Sequence, residues 1–302
     1  MTSQAIDRDQ NPASILCIYH NDPDGCCAAA VVRVALGNEV VLESHAIGDR
    51  VPWDRIEAAQ EVILVDLSFP LETMQRLKEG WRLTWIDHHK SAFAELSDAM
   101  TNVPGQRSLD AAACVLSWQT YFPDQPVPRA VAYVGDRDIW RMAYPETRAF
   151  SEGLYEQDFR PENDAFWHPL LKDDKQQVEA LIERGGLIYD IRLRTIEEVV
   201  THYGFETTFE GHRTLAVNHR SSGDLGEYIR DQGYTLAYCY VEVVRSNKLQ
   251  TKVTLYSDQV DVSEIARRYG GGGHRGAAGF QFLRSDRPFP EGSETTGLSE
   301  SI

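Results

Sequence analysis

ILCIYHNDPDG, residues 15–25, decides how the chain reads. Its first five residues are a compact apolar run, the mark of a buried strand. His20, Asp22 and Asp24 then follow within five positions, and a Pro-Asp-Gly turn opens an Ala-rich helical run over residues 26–36. A buried strand that ends in ionisable groups and turns at once into a helix is the start of a βα unit. The pattern repeats outward from there. Residues 40–45 read as a second strand, 56–60 as a short helical piece, and 61–67 (EVILVDL) as a third strand with Asp66 at its end. Residues 71–79 form an amphipathic helical pattern, and 81–86 (WRLTWI) a fourth strand that runs into Asp87, His88 and His89. This alternation predicts a fold of class α/β, with a parallel sheet flanked by helices. Strands rich in Val, Ile and Leu throughout suit a sheet covered on both faces.

Residues 108–121 and 127–134 also read as helical, whereas 141–170, with its Pro, Trp and charged residues, reads as irregular. A long helical stretch from about 173 to 203 is expected to break at Gly185-Gly186. Beyond it the periodicity changes to that of strands over 213–218, 235–244 and 249–256. A helix follows at 263–269, then a glycine-rich turn and a last strand around 278–283. The expected division is a first domain over 1–175, a helical linker over 176–203, a smaller mixed α/β domain over 204–285 and a disordered tail over 286–302. No internal repeat is seen.

Composition narrows the function. The content of 42% hydrophobic and 25% charged residues is that of a globular protein. No apolar run approaches the ~18–20 residues of a membrane span, and the polar N-terminus has no signal-like apolar core. The expected location is the cytoplasm, with no membrane partner. Cys17, Cys26, Cys27, Cys114 and Cys239 contain no C-x-x-C pair, so neither a disulfide framework nor a structural zinc site is expected. A formal charge of −16 argues against a protein that grips long nucleic acid through a basic surface. That charge lies in the first part, because residues 204–285 hold 10 basic and 9 acidic side chains.

The chemistry-bearing residues fall at strand ends. In open α/β sheets the region outside the carboxyl ends of the strands is where sites form. An Asp after a strand is by itself more often a turn former or helix cap. Three such strand ends carrying His20, Asp22, Asp24, Asp66, Asp87, His88 and His89 are a constellation that caps do not explain.

Taken in order, HNDPDG, VDLS, IDHH and GDRD, followed far downstream by GGGGHRGAAGF, resemble the DHH phosphoesterases with their DHH-associated C-terminal domain. The resemblance covers about residues 15–282. Asp-His-His alone is a weak mark, but the ordered set is specific. The family includes RecJ-type exonucleases, nanoRNases and phosphodiesterases of cyclic dinucleotides and their linear products. The resemblance implies two divalent metal ions, usually Mn2+, with Mg2+ or Co2+ as substitutes. It assigns His20, Asp24, Asp66, His88 and Asp136 as ligands, with Asp138 as a companion to Asp136. It places His89 against the phosphate and makes Asp87 the residue that orients the imidazoles. Many members carry an Asp where this chain has Cys26. Asp22, in an earlier D-x-D-G pattern, is the expected substitute, and a Cys26 thiolate, which would favour a softer metal such as Zn2+, is the alternative. Carboxylates with imidazole suit Mn2+ better than Mg2+. Two such ions ~3.5–4 Å apart can share a hydroxide, lower its pKa and direct it at phosphorus.

In the second part, Gly272, Gly273 and His274 can present N–H groups and an imidazole to a phosphate or terminal sugar; the plainer reading is a helix stop and tight turn. Arg275, Arg245 and His219 are further candidates for substrate contact, with exposed surface residues as the alternative. Many members have an Arg where this chain has Tyr256, which weakens the analogy to any one subfamily. Trp140 either lines the site or packs. The function expected is hydrolysis of short single-stranded RNA or DNA in a cleft between the domains, with a homodimer left open. Linear or cyclic dinucleotide hydrolysis in signalling is an alternative. Phosphoanhydride hydrolysis and a catalytically retired nucleotide-binding protein are the remaining ones.

Overall fold

A computed structural model describes residues 15–283 other than 38, 47 and 246, so the expected tail lies outside the described residues. The chain divides into two compact units, Met1–Tyr189 and Asp190–Ile302.

In the first unit β1 (Ile15–His20), β2 (Val41–His45), β3 (Glu61–Val65) and β4 (Arg82–Ile86) form a sheet in the order β2-β1-β3-β4, every pair parallel. Helices α1 (Pro23–Leu36), α2 (Trp53–Glu57) and α3 (Leu71–Gly80) connect these strands, and α4 (Lys90–Leu96) follows β4. Side chains alternate across a strand. Cys17 and Tyr19 of β1 therefore join α1 in one core, while Leu16 and Ile18 join Ile56, Met74, Leu77 and Trp85 in the other. Each large side chain so buried contributes roughly 1.5–3 kcal/mol. At the start of α1, Asp22 accepts from Gly25 N (2.9 Å) as the N-cap and Pro23 fixes the first turn. A Cβ on Gly25 would lie 2.0 Å from His20 O, so only glycine lets this helix begin directly beneath the end of β1.

The unit is completed by α5 (Ala113–Tyr121), α6 (Arg129–Asp138), α7 (Thr147–Tyr155) and α8 (Asp164–Leu171). Helix α5 begins only at Ala113, not at 108, because residues 106–108 are drawn into an extended bridge with Asp87, whose N donates to Gln106 O and whose O accepts from Ser108 N at 3.3 Å. The stretch expected to be irregular contains α7 and α8. Phe150 and Leu154 bury the inner face of α7, and Gly153 permits close contact with Leu181 O. Helix α9 (Lys175–Tyr203) is continuous through Gly185-Gly186. The expected break is replaced by packing: a Cβ on Gly185 would stand 1.8 Å from Ala149 O.

The second unit holds β5 (Gly204–Phe209), β6 (His212–Asn218), α10 (Gly223–Asp231), β7 (Leu236–Arg245), β8 (Lys248–Tyr256), α11 (Val262–Arg268), β9 (Gly272–His274) and β10 (Ala277–Leu283). Its sheet order is β5-β6-β7-β8-β10-β9, antiparallel except for β6 with β7, which α10 connects. One face is an aromatic core of Phe209, Tyr238 and Phe280 under α11; the other packs Leu215, Val217 and Cys239 against α10 and the end of α9. Strand β5 and helix α10 were not read from the sequence. Two glycines disguise α10, and Gly226 is needed there because a Cβ would meet the Tyr256 ring at 2.4 Å. No helix of the described residues is long and apolar enough to cross a membrane.

Candidate functional site

Register aligns the chemistry. Tyr19 pairs with Val65 and Val65 with Ile86, so the next residue on each strand is His20, Asp66 and Asp87. Asp66 has φ 61, a left-handed conformation that Asp tolerates better than most residues, and it ends β3 with its carboxylate buried.

Around Asp66 the donor atoms converge. His88 Nε2 lies 3.1 Å from Asp66 Oδ1, 3.3 Å from Asp138 Oδ2 and 3.6 Å from Asp24 Oδ2. His20 Nδ1 donates to Asp22 Oδ2 at 2.8 Å and lies 3.6 Å from Asp66 Oδ2. Three overlapping sets, each with ligand atoms within 4.8 Å of one another, result: His20–Asp22–Asp66, Asp24–His88–Asp138 and Asp66–His88–His89. Asp66 Oδ2 is buried and has no hydrogen-bond partner. An orphaned anionic oxygen amid carboxylates and imidazoles fits a divalent cation, since such an atom is costly to bury otherwise.

The electrostatics agree. Burial, then the charge of Asp66, raises Asp24 to about 7. Burial and the Asp24 charge raise Asp138 to about 7. Asp66 is itself raised by burial, against the pull of the neighbouring His20 and His88 imidazoles. His20 is raised to about 10 by its hydrogen bond to Asp22 and the nearby Asp66 carboxylate. For His88 burial pulls downward, but Asp66, Asp24 and Asp138 prevail and lift it to about 9. Asp22 is lowered, because His20 and Gly25 N–H outweigh its burial. Burial and repulsion thus favour the protonated forms of Asp24, Asp66 and Asp138, a strain that a bound cation would relieve.

Two aspartates act as supports. Asp24 accepts from Ala113 N and Cys114 N, both at 2.8 Å, so the first turn of α5 orients it. Asp87 is fully buried and accepts from His88 N (2.7 Å), His89 N (3.1 Å), His89 Nδ1 (2.7 Å) and Trp85 Nε1 (3.2 Å). It fixes the turn and the His89 ring, whereas the His88 ring is held by Asp66 and Asp138. Asp87 is thus a positioning residue, and His89, 48% exposed at the side chain, stands at the rim.

The expected ligand Asp136 is displaced. Its carboxylate accepts from Ala143 N (2.9 Å), Tyr144 N (3.3 Å) and the Thr147 hydroxyl, which occupies both oxygens. Helix α6 extends past residue 134 and turns Asp138, not Asp136, toward His88. Nothing in GDRD distinguishes the two without that helical phase. Cys26 packs in the core, burial pushes its thiol up to about 12, and it belongs to none of the three sets; Asp22 stands beside His20 instead.

In the second unit, Gly272, Gly273 and His274 form the edge strand β9. Gly270–Gly273, Lys252, Thr254 and Ala277–Gln281 line a cavity of about 470 Å³. Gly273 has φ 143, and a Cβ there would lie 2.6 Å from Ala278 Cα, so close strand approach alone requires this glycine. Arg275 follows His274, and its carbonyl accepts from Val262 N. Two candidates lie elsewhere. His274 is level with Ala277, Tyr256 and Ala237, while Arg245 is at the β7–β8 hairpin end, roughly 25 Å further along β7. His219 follows β6, four strands from β9 and so roughly 19 Å away, and its Nδ1 donates to Arg220 O.

The strand ends of the parallel sheet gather carboxylates and imidazoles in sets able to hold divalent metal ions, and a separate mixed-sheet unit follows. By motif order the chain resembles the DHH phosphoesterases, and its fold is that of a solved DHH domain. Oligoribonuclease NrnB of Bacillus subtilis is 25% identical over 298 residues, covering 86% of this chain and 71% of its own length. An uncharacterised protein of Acanthamoeba polyphaga mimivirus is 28% identical over 256 residues; the match covers 80% of this chain but only 58% of the viral protein. The solved DHH domain of a member of a family of ribosomal proteins has a TM-score of 0.53 at 17% identity, covering 91% of this chain and 84% of its own. No family model matches the chain.

Proposed function

We propose that the protein is a divalent-metal-dependent phosphodiesterase that hydrolyses short oligonucleotides. The observation that carries this is the orphaned Asp66 Oδ2 at the meeting point of the His20–Asp22 and His88–Asp24–Asp138 sets. His20, Asp22 and Asp66 would hold one ion, and Asp24, His88 and Asp138, with Asp66 shared, a second. This mixed oxygen and imidazole set suits Mn2+. When bound, such ions place positive charge against phosphoryl oxygens and activate water for in-line attack.

The chain's own groups do the rest. Asp24, held by the α5 amides, and Asp87, held by four donors, keep the ligand frame rigid before substrate arrives. His89 has its Nδ1 on Asp87, so its Nε2 is the nitrogen left to donate to a phosphate oxygen. The Asp87 bond raises His89, which favours the imidazolium form as an anion partner. The choice of short substrates is supported by the likeness to NrnB and by a net charge of −16, which leaves little attraction for long nucleic acid.

The test is release of mononucleotide from end-labelled RNAs of two to about twenty nucleotides with Mn2+, using His88→Ala as control and cyclic dinucleotides and pyrophosphate in parallel. Cleavage fastest on the shortest RNAs and absent in the control is the expected result. Turnover of pyrophosphate alone, or of cyclic dinucleotides alone, would overturn the substrate assignment.

A further inference from the structure

We propose that Trp140, Arg137 and Arg148 form a nucleotide subsite beside the metal cluster, where a base stacks on the open surface of the indole and the flanking phosphate meets the guanidinium groups. The inference rests on the reading of the protein as an oligonucleotide phosphodiesterase and deepens it.

Trp140 is two residues from Asp138, whose carboxylate is 3.3 Å from His88. Of the six tryptophans it is the one that is exposed, at 41%. Arg137 lies over its ring at 4.2 Å from the centroid, and Arg148 at 5.9 Å. A guanidinium held over an indole is fixed in position, and its planar fork of N–H groups matches the geometry of a phosphate. Tyr155, also exposed, interacts electrostatically with Arg137, Asp22 and Asp138, which places it on the same rim.

The backbone shows that this display is built. Trp140 (φ 55) and Met142 (φ 52) are both left-handed, a conformation that bulky L-residues avoid. Such outliers persist where the surroundings over-determine them, most often at ligand sites. Here Arg141 N donates to Asp136 O, Arg141 Nη2 donates to Asp110 O at 2.7 Å, and the Asp136 carboxylate clamps Ala143, Tyr144 and Thr147. A tryptophan needed only for packing would turn inward; this one is held outward. Charge completes the argument. The cluster gathers four carboxylates from Asp22, Asp24, Asp66 and Asp138, so an anionic substrate needs cations at its margin, and Arg137 adjoins Asp138.

The test compares wild type, Trp140→Ala, Trp140→Phe and Arg148→Gln in Mn2+-dependent cleavage of a dinucleotide that contains 2-aminopurine. Stopped-flow fluorescence reads base stacking before cleavage. Trp140→Ala is expected to raise KM about tenfold and abolish the quench with kcat within about threefold. Trp140→Phe is expected to retain the quench and a KM within about threefold of wild type. Arg148→Gln should raise KM and flatten its dependence on salt. A fall in kcat or in Mn2+ affinity with KM unchanged would show that Trp140 merely positions Asp138, and would overturn the subsite. So would an undiminished quench in Trp140→Ala while wild type cleaves. Absence of both quench and cleavage in wild type would defeat the phosphodiesterase reading, and the subsite with it.

Discussion

The parallel sheet of the first unit and the mixed sheet of the second are both packed on helices, yet they bury polar groups of different kinds. The second buries Thr207, Thr214, Thr251, Ser257, Ser263 and Asp224, small groups whose partners are at hand; Asp224, for instance, faces Arg192 at 3.3 Å. The first adds to Ser117, Thr147 and Ser151 five buried acids, Asp24, Asp66, Asp87, Asp136 and Glu152. The four aspartates divide further. Asp87 and Asp136 have their oxygens filled by N–H or O–H donors and lie outside the three sets, Asp24 accepts from two amides yet stands within one, and Asp66 keeps an unpartnered oxygen amid other acids. Burial of a carboxylate therefore does not by itself mark function; convergence with imidazoles and other acids does.

The contrast breaks if a packing deletion in the second unit behaves like a charge deletion in the first. Phe280 is buried within the aromatic cluster of Phe209, Tyr238 and Tyr269. Phe280→Ala is expected to cost about 3–5 kcal/mol of stability, measured by urea denaturation followed by circular dichroism. Asp66→Asn should do the reverse. Asn accepts the left-handed backbone and removes a charge from a repulsive cluster, so the melting temperature in EDTA should stay level or rise. Activity should fall at least ~10²-fold, measured as initial rate on a dinucleotide. A destabilised Asp66→Asn would show that the orphaned oxygen is structural.

The two aspartates of GDRD sharpen the same point at smaller scale. Asp136→Ala leaves Ala143 N, Tyr144 N and the Thr147 hydroxyl without their acceptor, at a cost of about 1–3 kcal/mol, with Mn2+ affinity retained. Asp138→Asn should lower Mn2+ affinity about 10–100-fold and leave stability nearly unchanged. Isothermal titration and thermal melts on both variants decide it. Equal loss of metal affinity in the two would erase the distinction drawn from the hydrogen bonds.

The same example shows what was legible in advance. Alternation of apolar runs and helical patterns gave the parallel sheet, and the strand ends gave His20, Asp66 and the Asp-His-His turn, because ionisable residues after a buried strand have few places to go. The phase of α6 was not legible: Asp136 and Asp138 are chemically identical, and which one turns inward depends on where the helix ends. Gly185 misled for the converse reason, since its lack of a side chain serves contact with Ala149 and not a break. Helices α7 and α8 were hidden by Pro, Gly and Trp, whose roles there are tertiary. Arg245 was chosen for its charge alone, and pairing register is what places it at a hairpin end remote from His274.

The smallest expected effect is the dependence of metal-free stability on pH, and its sign tests the repulsion within the cluster. Asp24 and Asp138 are raised to about 7 from an ordinary 3.8 by burial and mutual repulsion. His88 and His20 are raised to about 9 and about 10 from 6.5. In all four the folded state holds its proton more tightly than the unfolded state. Their contribution is fully present below the unfolded pKa and is lost as pH rises through the folded value. The aspartates therefore lose theirs between about pH 4 and 7, and the histidines between about pH 6.5 and 10. In EDTA the first unit should melt at progressively lower temperature as pH is raised from 5 to 9. Saturating Mn2+ should flatten or reverse that slope, because the cation takes over the protons' role and binds the deprotonated ligands. Differential scanning fluorimetry across this range, with and without Mn2+, reads both slopes. A metal-free protein that grows more stable toward pH 9 would show that the clustered acids are ionised and compensated by pairing, and the repulsion inferred within the cluster would be refuted.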